Sequence, residues 1–548
     1  MSGNRVAWVL AGVAVGPVLL GLSNQLHDYD PSQYAEVARR ILASNEWLDL
    51  RDSEAPFTNK PPVTMWAQAL AMAVFGVTSF AARLPVLLFG LLAMAATRVA
   101  GRELWDERTG NLAAIGVGAS VAFQHMVADP KVDMPLLAFS TASIAALLVS
   151  RRRPGAVWVA WVAAGLAMLS KGPLGVVLPM AAVGPELLRE SWLPGTTLWQ
   201  RFKAMKLLRG ALIVAAITVP FYVVVYQRSG ADAAMYLLVR QGFGRLTGSS
   251  GWSDDTTPLF FVHTGAWAFF PMTLWLLVAL SRRAVAAVKA RALPGSVERV
   301  ALWWLVIPFV AISVSTYKLP QYVYWLVAPA ALLAARELSL LSESAGRRWR
   351  TAAVVFGVAV VVAVWASSRW LFPASPLWLV VVAAVQVGGW WLVRDAAAPE
   401  RVLGSWVVVG ASLFVFFHGS FHRSLLEFQP FEAMARLIKS QEPGASAILA
   451  IGARPTHSLP YYAERDLEMV TPAQVRERLQ AQGGGAVRSV VLAPEVPNEL
   501  LEAEGLRVTD SQSFSAFQTS IPSRRFLLAA TRAEAVWQWR VVRVTLAP

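Results

Sequence analysis

Apolar runs recur along about the first three quarters of the chain, and each is separated from the next by a short polar segment. Most approach the ~20 residues that a helix needs to cross a bilayer, although several are shorter. This pattern predicts an α-helical polytopic membrane protein. We expect about thirteen transmembrane helices, near residues 5–23, 82–99, 110–124, 133–150, 155–169, 173–187, 209–227, 258–281, 300–315, 320–335, 351–369, 376–393 and 402–420.

The pattern changes after residue 420. Short apolar stretches there alternate with amphipathic helices and turn residues, as in a soluble α/β fold. About 125 residues are enough for one small domain. The sequence therefore predicts a transmembrane domain over residues 1–420 and a small α/β domain over residues 421–548. No catalytic motif is found in the second domain, so we expect it to contact an acceptor or to cover the outer face.

The chain is strongly basic, with a net charge of +14. Most Lys and Arg residues lie in short clusters between the apolar runs, which argues against nucleic-acid binding. Most of these residues lie in loops on the same side of the membrane as the N-terminus. Loops rich in Lys and Arg stay in the cytoplasm. The sequence thus predicts a multi-pass inner-membrane protein with a cytoplasmic N-terminus and a periplasmic C-terminal domain, in contact with membrane lipids.

The first outer loop, residues 24–81, is too long for a simple connection and is expected to be functional. Asp30 followed by Pro31 is typical of a helix start, with Asp30 as the N-cap. Apolar residues then recur at helical spacing, which predicts an amphipathic helix lying in the membrane interface. A second, apolar helix is expected over residues 63–75.

Ionisable residues near predicted spans are costly and suggest function. Asp30, Asp133, Lys171 and Lys318 all fall on the predicted outer side. A carboxylate such as Asp30 or Asp133 can take a proton from an acceptor hydroxyl, whereas the two lysines and Tyr322 can stabilise a departing phosphate. This chemistry suits transfer of a sugar from a phosphate leaving group. The alternative is that these charges are solvated loop residues or lysines that snorkel to the interface.

Six short motifs occur in an order that resembles a large bacterial family of GT-C membrane glycosyltransferases. This family includes the lipid A aminoarabinose transferase and relatives of the protein O-mannosyltransferase type. Each motif alone is weakly specific, but six in order are specific. The motifs are Asp30-Pro31-Ser32-Gln33-Tyr34-Ala35-Glu36-Val37-Ala38-Arg39, Asn59-Lys60-Pro61-Pro62, Ala82-Arg83-Leu84-Pro85, Val132-Asp133-Met134-Pro135-Leu136, Ser170-Lys171-Gly172-Pro173 and Lys318-Leu319-Pro320-Gln321-Tyr322.

The resemblance implies a GT-C fold with an undecaprenyl-phosphate-linked sugar as donor. It also implies inverting transfer on the outer face to a lipid, glycan or protein acceptor. The sugar and the acceptor are left open. Asp30 would be the catalytic base or the essential acidic residue of the first loop, and Asp133 would support the acceptor or order the basic groups.

The same resemblance assigns donor-phosphate binding to a set of basic residues and one tyrosine. No metal site is expected, because Asn59 and Asp255 stand where relatives often have Glu and His; a divalent cation is left open. The chain also has no cysteine. The phosphate-binding residues are Lys60, Lys171, Arg245, Lys318 and Tyr322.

Two other classes of function are weighed against the enzyme. A flippase or transporter of lipid-linked sugars predicts charges along a path at the membrane midplane and repeated halves. The charges found here lie on one face, and no repeat is evident. A non-enzymatic envelope scaffold predicts that the outer carboxylates and lysines can be replaced without loss of function.

Overall fold

The chain is described by a computed structural model over residues 3–53, 55–189, 192–241, 244, 256–290, 295–483, 486–517 and 522–548. Helices dominate up to residue 441. They are α1 (Gly3–Leu19), α2 (Asp30–Ser44), α3 (Val63–Phe75), α4 (Ser79–Leu104), α5 (Glu107–Ala119), α6 (Val121–Ala128), α7 (Asp133–Ser150), α8 (Ala156–Lys171), α9 (Leu174–Leu187), α10 (Leu198–Ala204), α11 (Leu207–Met235), α12 (Phe260–Ala268), α13 (Thr273–Ala290), α14 (Ser296–Ser313), α15 (Val327–Ser339), α16 (Glu343–Trp370), α17 (Leu377–Val393), α18 (Ala398–Phe416), α19 (His422–Leu426) and α20 (Phe431–Gln441).

Within the described residues, five helical segments are long and apolar enough to cross a membrane, or six if the bent pair α5 and α6 counts as one span. Five further apolar helices have 10–17 residues. At the break between α8 and α9, Gly172 ends one helix and Pro173 precedes the next. The two apolar helices on either side of this break are therefore short. The expected total of about thirteen crossings stays a prediction.

Helix α2 begins at Asp30, the first residue of the Asp30-Pro31 pair that predicted a helix start. The cap position is Tyr29, and no side chain caps the helix there, so the interpretation of Asp30 as an N-cap is wrong. The helix is also buried within the protein: Tyr34 and Val37 are 2% and 0% exposed. A short antiparallel pair, β1 (Arg51–Asp52) and β2 (Ala55–Pro56), follows it.

Arg83, from one of the sequence motifs, is fully buried at the start of α4. Its guanidinium donates hydrogen bonds to the carbonyl oxygens of Ala128 (2.9 Å) and Gln25 (2.8 Å), and also to those of Leu22 and Asn24. A planar group with five N–H donors can satisfy several carbonyls at once. Arg83 therefore joins the end of α6 to the segment where the first loop begins.

The C-terminal part contains a five-stranded sheet with strand order β4-β3-β5-β7-β6. Strands β4, β3 and β5 are parallel, whereas β7 runs antiparallel to β5 and β6. The apolar core of this part is formed mainly by β3, β5, β7 and the helices that cover them. Its elements are β3 (Ala447–Ile451), α21 (Ser458–Ala463), β4 (Asp466–Met469), α22 (Pro472–Gln482), β5 (Arg488–Leu492), α23 (Glu499–Glu502), β6 (Leu506–Ala516), α24 (Arg524–Leu527) and β7 (Trp537–Leu546).

Candidate active site

The centre of the candidate site is an ion pair between two residues from different sequence motifs. Lys171 is the last residue of α8, and its Nζ contacts Oδ1 of Asp133, the first residue of α7. The side chains are 10% and 4% exposed, so water screens their attraction only weakly. The Lys171 Nζ also lies 5.0 Å from the centre of the Tyr322 ring and 5.9 Å from that of Trp325. Two predicted phosphate-binding residues and one predicted carboxylate are thus brought together.

The turn after Lys171 depends on a glycine. Gly172 has φ +67°, a value that residues with a Cβ rarely adopt, and a Cβ there would lie 3.2 Å from the carbonyl oxygen of Leu237. Gly172 ends α8 with its N–H bonded to the carbonyl of Met168. The local sequence therefore fixes the end of the helix at the lysine.

A second charged group surrounds Asp30. The Nζ of Lys131 lies 3.7 Å from Oδ2 of Asp30 and 2.9 Å from Oδ2 of Asp129. Burial would raise the pKa of Asp129, but the charges of Lys131, His125 and His27 lower it to about 2. The pKa of Lys131 is raised above its usual value, since Asp129 and Asp30 outweigh the effect of its burial. The Asp30 side chain itself is 47% exposed and is open to a substrate.

Lys131 couples the two charged groups electrostatically. The charge of Asp133, in the first group, also raises the pKa of Lys131. Lys131 was not among the residues predicted from the sequence to have a role. Its position one residue after Pro130, between two carboxylates of the chain, was the available signal.

The chain segments that carry the predicted residues pack on one apolar cluster. Tyr34, Val63, Val132 and Leu169 all belong to this buried cluster. They lie a few positions along the chain from Asp30, Lys60, Asp133 and Lys171, respectively. Residues that are more than 130 positions apart thereby share one support. The arrangement holds the acidic and basic groups at one end of the helices.

The remaining predicted phosphate-binding residues are Lys60, Lys318 and Arg245. Lys60 is half-buried, and the carbonyl of its neighbour Asn59 accepts a hydrogen bond from Gln241. Lys318 is 7% exposed and donates to the carbonyl of Thr256 at 3.2 Å, just before the 3₁₀ segment that carries Tyr322. Arg245 lies outside the described residues, as does Asp255.

The described part of the chain holds no group of three or more His, Asp or Glu side chains that could hold a metal ion. A cavity of about 420 Å³ lies at the other end of the helices, where it is lined by Val6, Arg108 and Glu400. It is therefore separate from the charged cluster. The candidate site is defined by its ionisable groups and not by that cavity.

Comparisons with known proteins show which family and which fold the chain resembles. Residues 59–226 match the family model described as dolichyl-phosphate-mannose-protein mannosyltransferase. The undecaprenyl phosphate-alpha-4-amino-4-deoxy-L-arabinose arabinosyl transferase 2 of Proteus mirabilis is 25% identical over 59% of this chain. The match spans 59% of that relative, or about three fifths of its length. The corresponding transferase of Pseudomonas savastanoi is 26% identical over 70% of this chain and 72% of its own length.

Solved structures give the architecture. ArnT from Cupriavidus metallidurans, bound to undecaprenyl phosphate, superposes with a TM-score of 0.76 at 21% identity, covering 99% of this chain and 98% of that one. The fold is that of the aminoarabinose transferases. The apo form of the same aminoarabinose transferase gives a TM-score of 0.74 over the same shares of the two chains. The resemblance to GT-C glycosyltransferases of the aminoarabinose transferase type is thereby confirmed.

Proposed function

We propose that this protein is a membrane glycosyltransferase that takes a sugar from a polyprenyl-phosphate carrier. The observation that carries the proposal is the charged cluster of Asp133, Lys171 and Tyr322 next to Asp30 and Lys131. The relatives named above are arabinosyl transferases that use an undecaprenyl-phosphate sugar. The geometry is compatible with a donor of that class. It is also compatible with a lipid, a glycan or a protein as the acceptor.

The proposed reaction is a single displacement at the anomeric carbon of the sugar. The acceptor hydroxyl oxygen forms the new bond to that carbon, and the bond between the carbon and the phosphate oxygen breaks with its electrons going to the phosphate. Asp30, whose carboxylate is accessible, takes the acceptor proton. One displacement inverts the configuration of the sugar. The products are the glycosylated acceptor and polyprenyl phosphate.

Asp133 has a different role in this proposal. It is buried and engaged by Lys171, so it orients the lysine and does not act as the base. The ammonium group then stabilises the charge that grows on the leaving phosphate, together with Lys60, Lys318 and Tyr322. Arg245 is proposed as a further phosphate ligand on the resemblance alone.

The test is transfer activity in membranes with Asp30→Asn and Lys171→Ala variants. We expect each to lose at least about 100-fold in transfer rate, since each removes a group that acts on the reacting atoms. Asp510→Asn and Lys289→Ala change exposed residues away from the cluster and serve as matched controls with unchanged rate. Full activity of the Asp30→Asn and Lys171→Ala variants at normal expression would disprove the glycosyltransferase proposal and favour a non-enzymatic envelope scaffold. Loss of lipid-linked sugar movement without loss of transfer would favour the flippase.

The same proposal places the cluster and the C-terminal domain, residues 421–548, on the periplasmic side of the inner membrane. The basic loops on the side of the N-terminus support this orientation. Because the chain has no cysteine, single-cysteine variants report on each side without background. We expect Gln482→Cys to react with an impermeant maleimide in intact spheroplasts, and Arg153→Cys to react only after lysis. The reverse pattern would overturn the orientation.

A further inference from the structure

Asp28 is a buried carboxylate near the candidate site, and no role was predicted for it from the sequence. It is 3% exposed and accepts hydrogen bonds from three hydroxyl groups. Ser32 donates to its Oδ1 at 2.5 Å, and Thr456 and Ser458 donate to its Oδ2 at 2.6 and 2.8 Å. No Lys, Arg or His nitrogen lies within 4.0 Å of Asp28 among the residues that the structure describes. Within the described part of the chain, its hydrogen-bond donors are all hydroxyl groups.

Two of those hydroxyls come from the C-terminal part, more than 400 positions along the chain. They belong to the segment of residues 454–466, which follows β3 and contains α21. We call this segment the clamp. The Thr456 and Ser458 hydroxyls also lie 2.9 Å from each other, so the two donors form one unit against a single carboxylate oxygen.

The clamp holds the first loop at a second place, next to β1. The Nδ1 of His457 lies 3.1 Å from Oδ1 of Asp52. Gln33 of α2 donates to Oδ2 of the same carboxylate at 2.6 Å, and Arg454 donates to the hydroxyl of Ser53. Although burial alone would raise it, the pKa of Asp52 is lowered, mainly by His457. Asp52 thus links the clamp to the first turn of α2.

A third set of contacts lies at the two ends of the loop. The Tyr462 hydroxyl accepts a hydrogen bond from the backbone N–H of Leu26 at 2.7 Å and lies 2.7 Å from the hydroxyl of Ser79. Tyr461 donates to the carbonyl of Thr78 at 2.9 Å. Both tyrosines come from α21, so one short helix touches the beginning and the end of the first loop.

We propose that the clamp positions Asp30 for the reaction and that Thr456 and Ser458 are positioning residues that act through Asp28. Asp28 lies two residues before Asp30, and its bond to Ser32 closes the turn that contains Asp30. The three sets of contacts surround the start of α2, so the Asp30 carboxylate is held relative to Lys131. This inference rests on the proposed function for the role of Asp30, whereas the contacts themselves do not.

A role in acceptor docking is the competing explanation for the C-terminal part. The two roles differ in kinetics, because misplacing a catalytic group lowers kcat whereas losing a docking contact raises KM. The clamp hydroxyls are buried under Asp28 at 3% and 0% exposure, so they do not face an acceptor. We therefore expect an effect on kcat.

The experiment compares the full-length protein with a Thr456→Val/Ser458→Ala double variant. Thr456→Ser keeps a hydroxyl and serves as the conservative rescue, and Ser440→Ala, on the exposed face of α20, is the matched control. Hydrogen exchange of the amides in residues 30–36 is measured first, since it needs no substrate. We expect about tenfold faster exchange in the double variant and wild-type exchange in the other two.

Transfer is then measured with undecaprenyl-phosphate aminoarabinose as donor probe and lipid A as acceptor probe. The double variant is expected to lose about 10- to 100-fold in kcat with KM values within about twofold of the wild type. Unchanged exchange in residues 30–36, or a raised acceptor KM with wild-type kcat, would overturn the positioning role. If Asp30→Asn proves fully active, the proposed function fails, while the exchange result still decides whether the clamp orders the loop.

Discussion

The ammonium group of Lys171 contacts the carboxylate of Asp133 on one side and lies 5.0 Å from the centre of the Tyr322 ring on the other. The carboxylate neutralises the charge, and the ring holds it in place through a cation–π contact. Such a lysine is pre-oriented but only partly compensated when a phosphate approaches. This relationship underlies the first two predictions.

Lys171→Ala should destabilise the protein by about 3–5 kcal/mol, since it leaves a buried carboxylate without its partner. Adding Asp133→Ala should recover part of this stability, because it removes the uncompensated charge. Transfer activity should not recover. Thermal unfolding in detergent and transfer assays on both variants check this double cycle; equal stability of the single and double variants would contradict the prediction.

Tyr322→Phe separates the hydroxyl from the ring. The ring contact with Lys171 survives, so stability should stay within about 1 kcal/mol, a normal value for one lost hydrogen bond. Transfer should fall about 10- to 100-fold if the hydroxyl assists the phosphate. Tyr226→Phe, at an exposed position of α11, is the control. A fully active Tyr322→Phe variant would limit this tyrosine to holding the lysine.

Lys131→Met should lower the stability of the protein at neutral pH and make that stability depend less on pH in acid. The pKa of Asp129 is lowered from 3.8 to about 2 in the folded state, so its contribution to stability is present above pH 3.8 and is lost as the pH falls through 2. Removing Lys131 raises the pKa of Asp129 in the folded state, so less stability is present at neutral pH and less is lost in acid. Unfolding temperatures between pH 2 and pH 7 measure the difference, with Lys289→Met, at an exposed position of α13, as control. Parallel curves for the variant and the wild type would refute the coupling.

Gly172→Ala should lower both stability and activity. The positive φ costs about 1 kcal/mol or more for alanine, and the new Cβ would press on the carbonyl of Leu237. Lys171 is the preceding residue, so its ammonium group should shift from Asp133. Gly184→Ala, in α9 with open space around the added Cβ, should be neutral or stabilising. Similar unfolding temperatures for the two variants would argue against strain at position 172.

Local patterns predicted much of the transmembrane part. The pair Asp30-Pro31 marked the start of α2 because proline fits the first turn of a helix. The expected spans 155–169 and 173–187 left a break at Gly172, and α8 ends there. The number of spans was harder to predict, since apolar runs of 14 to 17 residues form helices whether or not they cross the membrane.

The contacts of the C-terminal part could not be predicted in this way. Thr456 and Ser458 have no local feature that sets them apart from loop residues, and their partner Asp28 is more than 400 positions away. Lys131 is present in the sequence, but it belongs to no helical or strand pattern that would single it out. Long-range polar contacts of this kind depend on the tertiary arrangement, which single-sequence patterns do not encode.

Arg83 gives the first loop its second point of attachment. Its guanidinium joins the segment that follows α1 to the end of α6, while the clamp of the C-terminal part contacts the same loop. Contacts at both of its ends restrain this loop, so we expect a substrate to enter the site without displacing the loop as a whole.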